Sequence, residues 1–404
     1  MILWAVYLAG IALSCFMAWA LGANDAANPT DCAVGAGAIS VKRALILFAI
    51  FSALGGILVG RFVMKTFDRG IVDRTTALEA GVLTKETLVL GSLIAALAAA
   101  LWVTLSTKLA MPVSTTHSAI GGVLGFGLVA APGLIVWSKI RLILISMILS
   151  PLLSLLLAMA LFRLMKYVFA RASKTSAITV ASILMFLILL STAIPVVRIF
   201  LRGVWRILPI SVMIAVLGTL VCSLHLFRMG DEWKERMLPF LLVVSLAFSA
   251  FAFGANDLAN ATGVFVTPSE IMIGKPTGTT MLYLSLLGSL FLAIGGLTWG
   301  KKVLVTSAYR ITRLDPLTGF SAELANATCV FLFTTLPAWI IGFGLPISTT
   351  HSTVGAIIGA GLASGGVGSI HGETTKKILA FWAITIPCAA LLSAAMFKVA
   401  TFFF

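Results

Sequence analysis

Long apolar runs follow one another along the chain, and few folds can accommodate them. They lie near residues 1–21, 43–63, 88–110, 113–133, 134–160, 176–197, 207–227, 238–258, 281–300, 324–345, 347–365 and 376–399. A run of about 17 to 25 residues crosses a bilayer as a helix. In lipid the backbone must satisfy its own N–H and C=O groups, and long runs without alternation do so as helices rather than as barrel strands. Of the 404 residues, 60% are hydrophobic and only 10% charged, far from a soluble domain. The expectation is an all-α polytopic membrane protein with about 12 transmembrane or re-entrant helices, set in the lipid bilayer of a cell (inner) membrane.

A net charge of +14 does not make the chain a nucleic-acid binder. Its Lys and Arg residues fall mainly in connectors between apolar runs, where membrane flanks account for them. The connector Arg163 to Lys174 carries four basic residues and no acid, as expected of a cytoplasmic loop. Arg198, Arg202 and Arg206 crowd the next connector, so the charges do not fix an orientation. Five scattered cysteines (Cys15, Cys32, Cys222, Cys329, Cys388) lack pair spacing and read as small packing residues.

The chain repeats itself. "GANDAANPT" at 22–30 returns as "GANDLANAT" at 254–262, and "MPVSTTHSAIGGVLGFGL" at 111–128 returns as "LPISTTHSTVGAIIGAGL" at 345–362. Two motifs in the same order at nearly the same spacing mean an internal duplication. The run before the first motif has its counterpart in "VSLAFSAFAF" at 244–253, so it belongs to the fold and is no cleaved leader. Residues 1–160 then form a first repeat, 161–237 connecting helices with basic flanks, and 238–404 a second repeat. If every run crosses, equivalent runs are an odd number of crossings apart and the repeats have inverted topology. Paired repeats with matching interruptions point to a secondary transporter with its site at the repeat interface.

The interruptions carry the chemistry. An Asp at a bilayer centre costs about 2.5 to 3.5 kcal/mol on insertion scales, and Asp25 and Asp257 stand at equivalent places. Gly-Ala-Asn precedes each, which predicts a helix break in both copies. Pro112 and Pro346 precede Ser-Thr-Thr, a helix-start signature. Ser114, Thr115 and Thr116, with Ser348, Thr349 and Thr350, are therefore expected at two N-termini converging on one oxyanion. Gly121, Gly125, Gly355 and Gly359 read as helix-packing residues.

Two carboxylates repel an oxyanion in a low-dielectric site, and neither motif contains Lys or Arg to offset them. A cation must enter with the anion, and the oxygen-rich shells suit Na⁺. His117 and His351, each following Ser-Thr-Thr, leave proton coupling open as an alternative. A Ser114–His117–Asp hydrolase triad is disfavoured because one catalytic centre does not explain a duplicated set. Zinc is disfavoured because no His or Cys pair has ligand spacing.

The "GAND-x-AN" and "P-[VI]-S-T-T-H" motifs, each present twice in order, resemble the inorganic phosphate transporters (PiT family) over nearly the whole chain. The resemblance implies symport of phosphate with Na⁺ or, in other members, H⁺, an inverted-repeat fold, a homodimer and no enzyme activity. It implies no cofactor beyond sodium ions as coupling ions. Carried over, Asn24, Asp25, Asn256 and Asp257 join Ser114, Thr115, Thr116, Ser348, Thr349 and Thr350 around phosphate. Asp25, Asn28, Thr115, Asp257, Asn260, Thr349 and Glu323, the last from "GFSAELANAT" at 319–328, are implied for sodium. Pro29 and Asp31 depart from the second copy, which has Ala261 and Gly263 there, and position 89, matched to Glu323, is a valine. The chain also lacks the long central hydrophilic loop of animal members and so resembles a compact prokaryotic form.

Overall fold

The structure, a computed structural model, describes residues 2–60, 70–201, 203–272, 274, 276–330, 332–333 and 347–402. In chain order, around the first set of motifs lie α1 (Ile2–Asp25), α2 (Asp31–Gly35), α3 (Val41–Gly55), α4 (Arg74–Glu79), α5 (Lys85–Lys108), α6 (Thr115–Ala130) and α7 (Trp137–Arg171). Then come α8 (Lys174–Phe200) and α9 (Val204–Arg228). Around the second set of motifs lie α10 (Trp233–Met272), α11 (Gly278–Tyr309), α12 (Pro316–Val330), α13 (Thr349–Gly365) and α14 (Gly372–Ala400). Among the described residues, nine helices are long and apolar enough to span a membrane. The protein is a helical, multi-pass membrane protein. The run at 324–345 lies largely outside the described residues, as does the end of the run at 43–63.

Two expectations need correction. α7 continues to Arg171, so most of the basic stretch 163–174 is the last turns of a helix and the connector itself is short. This leucine-rich helix has strong helix formers up to its end, and its Lys and Arg stems can lie along it with their charges in water. The second correction concerns the Asp motifs. α1 does stop at Asp25, and a turn follows in which the Asn28 amide donates to the Asp25 carbonyl (3.0 Å) before α2 begins at Asp31. α10, however, runs unbroken through Gly254, Asp257 and Ala261. Pro29 supplies the reason, since proline disfavours helical geometry in the residue before it and lacks an N–H, whereas the second copy has Ala261 at that place.

The two repeats interlock rather than packing as separate bodies. α1 lies mainly against α11 and its counterpart α10 against α3; α6 lies on α14 and its counterpart α13 on α7. Glycines make these crossings possible. A Cβ on Gly22 would sit 1.9 Å from the Leu292 carbonyl oxygen, and one on Gly254 1.8 Å from that of Ser52. Gly55 and Gly295 meet Phe251 and Trp19 in the same way, each at 2.0 Å. Gly125 against Ala390 (2.0 Å) and Gly359 against Leu155 (2.1 Å) repeat the pattern. Without side chains, backbones approach to dispersion contact, the main attraction between helices in lipid. Each such contact pairs an element of one copy with one of the other, and each has its mirror. Large apolar side chains such as Ile148 on α7 and Val221 on α9 stay exposed, as a lipid-facing surface requires.

α6 has 16 residues, about 24 Å at 1.5 Å per residue, too short to cross the membrane with ease. It packs back along α5. An isolated backbone pairing of Val72 with Ile135 brings the chain before α4 and the end of α6 to the same level. Thr312 and Ile370 repeat that pairing in the second copy. Such a helical hairpin places the start of α6 inside the protein.

Candidate phosphate and cation site

The starts of α6 and α13 are built alike. Ser114 Oγ accepts from the His117 amide at 3.2 Å, and Ser348 Oγ accepts from the His351 amide at 3.2 Å. Each serine is thus an N-cap that satisfies one of the four free amides of its helix start. Its hydroxyl hydrogen remains available to a ligand. The caps are close in space, because the His117 and His351 rings meet edge to face with centroids 4.9 Å apart. His351 also stacks on Trp382 (3.8 Å), whose indole donates to the Pro112 carbonyl at 3.0 Å. Two helix N-termini, each carrying a partial positive charge, therefore face one interior region.

The broken end of α1 reaches into this region. Thr115 Oγ1 donates to Asp25 Oδ2 at 2.9 Å, and the Thr350 hydroxyl also lies beside the carboxylate, while Asp25 Oδ1 has no partner in hydrogen-bond geometry among the described residues. Asn28 Nδ2 crosses to the other repeat, donating to Thr350 Oγ1 at 3.1 Å and Thr349 Oγ1 at 3.4 Å. Thr350 donates in turn to the Val113 carbonyl at 3.4 Å. Asp257 acts on Asp25 electrostatically, and Asn260 Nδ2 donates to Asp257 Oδ1 at 3.3 Å. Asp25, Thr115, Thr350 and both histidines are buried. The unpartnered Asp25 oxygen, the nearby Asp257 and the threonine hydroxyls are hard-oxygen donors of the kind a small cation takes.

Asn24 has a different task from the one expected of it. Its Nδ2 donates to Thr107 Oγ1 (2.9 Å) and to the Met111 carbonyl (3.1 Å), and its Oδ1 accepts from the Val113 amide (3.1 Å). That amide group is occupied in holding the segment before α6. The segment is strained, because Ala110 sits at φ 58°, a region that costs an L-residue with a Cβ. Asn24 therefore positions Ser114 and Thr115. Sequence motifs mark such a residue as important without saying which partner it has.

Thr116 is buried next to Thr115 on α6, and Asn256 lies in α10 with its side chain outside the described residues. Glu323 stands apart from the histidine pair. It is buried on α12, Oε1 accepts from the Ser249 hydroxyl, and its electrostatic neighbour is Asp31. Ser249 carries no motif and was not legible beforehand, and Asp31 stood out only as a departure from the repeat.

A family model described as "Phosphate transporter family" matches residues 21–393. The chain is 34% identical over 401 residues to a protein of Pyrococcus abyssi whose name places it among the phosphate permeases, covering 95% of each chain. It is 30% identical over 419 residues to the chloroplastic inorganic phosphate transporter 2-1 of Arabidopsis thaliana, covering 94% of this chain and 69% of the other. Its fold matches a solved structure titled as the sodium-dependent phosphate transporter, with a TM-score of 0.86, 29% identity, and coverage of 99% of this chain and 100% of that one. By the match over nearly its whole length, this chain, a transporter rather than an enzyme, belongs to the phosphate transporter family.

Proposed function

We propose that the chain is a sodium-coupled symporter of inorganic phosphate that works by alternating access. One juxtaposition carries the reading: two Ser-Thr-Thr helix starts, one from each copy of the motif, face the buried Asp25 and its electrostatic neighbour Asp257. Amides, hydroxyls and the positive helix ends would hold phosphate through Ser114, Thr115, Thr116, Ser348, Thr349 and Thr350. Asp25 and Asp257, with Asn28, Asn260 and the threonine hydroxyls, would hold Na⁺. Each ion then offsets the charge that repels the other, which couples them without a separate device. No cofactor beyond the coupling ion enters this scheme.

Alternating access follows from the crossed packing if the repeats have inverted topology. Exchanging the conformations of residues 1–160 and 238–404 would open one site first to one side and then to the other, with 161–237 as the connection. A homodimer is part of the same reading, checked by the mass of the purified protein in detergent.

Phosphate uptake into proteoliposomes under an imposed Na⁺ gradient, against equal K⁺, tests the coupling. Uptake at least tenfold faster with Na⁺ is expected, and indifference to Na⁺ would sink it. The His117–His351 contact favours a second reading, in which H⁺ takes the place of Na⁺. A pH gradient alone would then drive uptake in K⁺.

A further inference from the structure

Two buried acids outside the Asp25–Asp257 pair remain to be explained. Asp31 opens α2 and Glu323 lies within α12, 1% and 2% exposed. The helices meet at backbone distance, because a Cβ on Gly319 of α12 would lie 2.9 Å from the Cys32 carbonyl oxygen. Glu323 lies close enough to Asp31 to act on it electrostatically, as Asp257 does on Asp25, so the acids fall into two pairs.

Three of the four carboxylate oxygens are left without a partner in hydrogen-bond geometry among the described residues. Among the described residues, both Asp31 oxygens and Glu323 Oε2 lack a hydrogen-bond partner; the adjacent Cys32 amide and thiol face Asp31 without reaching hydrogen-bond geometry. The side-chain oxygen of Asn326, one helical turn beyond Glu323, is buried and unpartnered too. Ser249 supplies a further oxygen beside Glu323. Buried carboxylate oxygens with no donor and a like-charged neighbour are costly in a low-dielectric interior.

The repeat sharpens the point. Where the first copy has Asp31 the second has Gly263, and where the second has Glu323 the first has Val89. Two acids that each lack a counterpart have been brought together. A shared ligand would account for that.

We propose that Asp31, Glu323, Ser249 and Asn326 form a second sodium site, distinct from the Asp25–Asp257 pair. The site is all oxygen, as Na⁺ prefers. One Na⁺ between the two carboxylates would offset their mutual repulsion. The inference rests on the sodium-coupled reading above and adds where a further coupling ion is held.

Equilibrium binding of radioactive ²²Na⁺ to the purified full chain in detergent tests it, with Asp31→Asn, Asp31→Gly, Glu323→Gln and the double variant Asp31→Asn/Glu323→Gln. Asp31→Gly carries the residue of the second copy and guards against a misfolded Asp31→Asn. Each single variant is expected to lose about one Na⁺ per chain, and the double variant no more than that. The slope of uptake against Na⁺ concentration should fall by about one in parallel. Unchanged Na⁺ binding in both Asp31 variants, or losses that add in the double variant, would overturn the site while leaving sodium coupling intact. Wild-type protein that binds no Na⁺ would overturn both.

Discussion

Asn28, four residues after Asn24 on the broken arm of α1, donates a hydrogen bond of 3.1 Å to Thr350 at the start of α13. The two residues belong to different copies of the motif, and the bond ties an arm of the proposed cation site to a helix start of the proposed anion site. Substituting Asn28→Ala removes the shared donor of Thr349 and Thr350. A destabilisation of about 1 kcal/mol is expected, the scale of interhelical hydrogen bonds in membranes. Phosphate uptake at limiting Na⁺ should fall at least tenfold, because both ion sites lose a common support. A thermal shift in detergent together with uptake at two Na⁺ concentrations checks this; equal loss at limiting and saturating Na⁺ would argue against the shared role.

In the proposed mechanism Asp25 and Ser114 serve different ions. Asp25→Asn keeps shape and removes charge, so the Na⁺ concentration for half-maximal uptake should rise more than tenfold. Ser114→Ala removes the cap of α6, worth about 0.5 to 2 kcal/mol of helix stability, and one hydroxyl facing the anion. Its phosphate KM should rise five- to tenfold with little change in Na⁺ dependence. The two kinetic series compared side by side test the division of labour.

For Asn24 the expected effect is indirect. Asn24→Asp sets a carboxylate against the Met111 carbonyl, which now accepts from Asn24 Nδ2, whereas Asn24→Ala only removes the bonds. The Asp variant should transport phosphate more poorly than the Ala variant although it keeps the side-chain volume, because it adds a negative charge against that carbonyl. The reverse order would mean that Asn24 contacts the cation itself.

Ala110 holds a backbone angle that glycine adopts freely. Ala110→Gly should therefore raise the melting temperature, by an amount corresponding to about 1 kcal/mol. A lowered melting temperature would show that this turn takes another conformation in the membrane.

Gly22→Ala and Gly254→Ala place a methyl group inside van der Waals distance of a facing carbonyl, at 1.9 and 1.8 Å. Both should fail to give monodisperse protein on size-exclusion chromatography. Gly133→Ala, with nothing within 4 Å, is the control and should behave as wild type.

Apolar runs without alternation admit little besides membrane helices, so the all-helical membrane class was readable from order and composition alone. The duplicated motifs named Asp25, Ser114, Thr115 and their counterparts, because residue types repeated in register need a shared reason. Three things needed the tertiary structure. Pro29 breaks α1 while α10 continues, an outcome set by competition between local proline geometry and the packing of a long helix. Asn24 turned out to hold a loop, since an amide can bind an ion or a backbone and only its neighbours choose. The approach of Asp31 to Glu323 joins residues far apart in the chain that share no motif, and only the crossing of the two repeats brings such partners together.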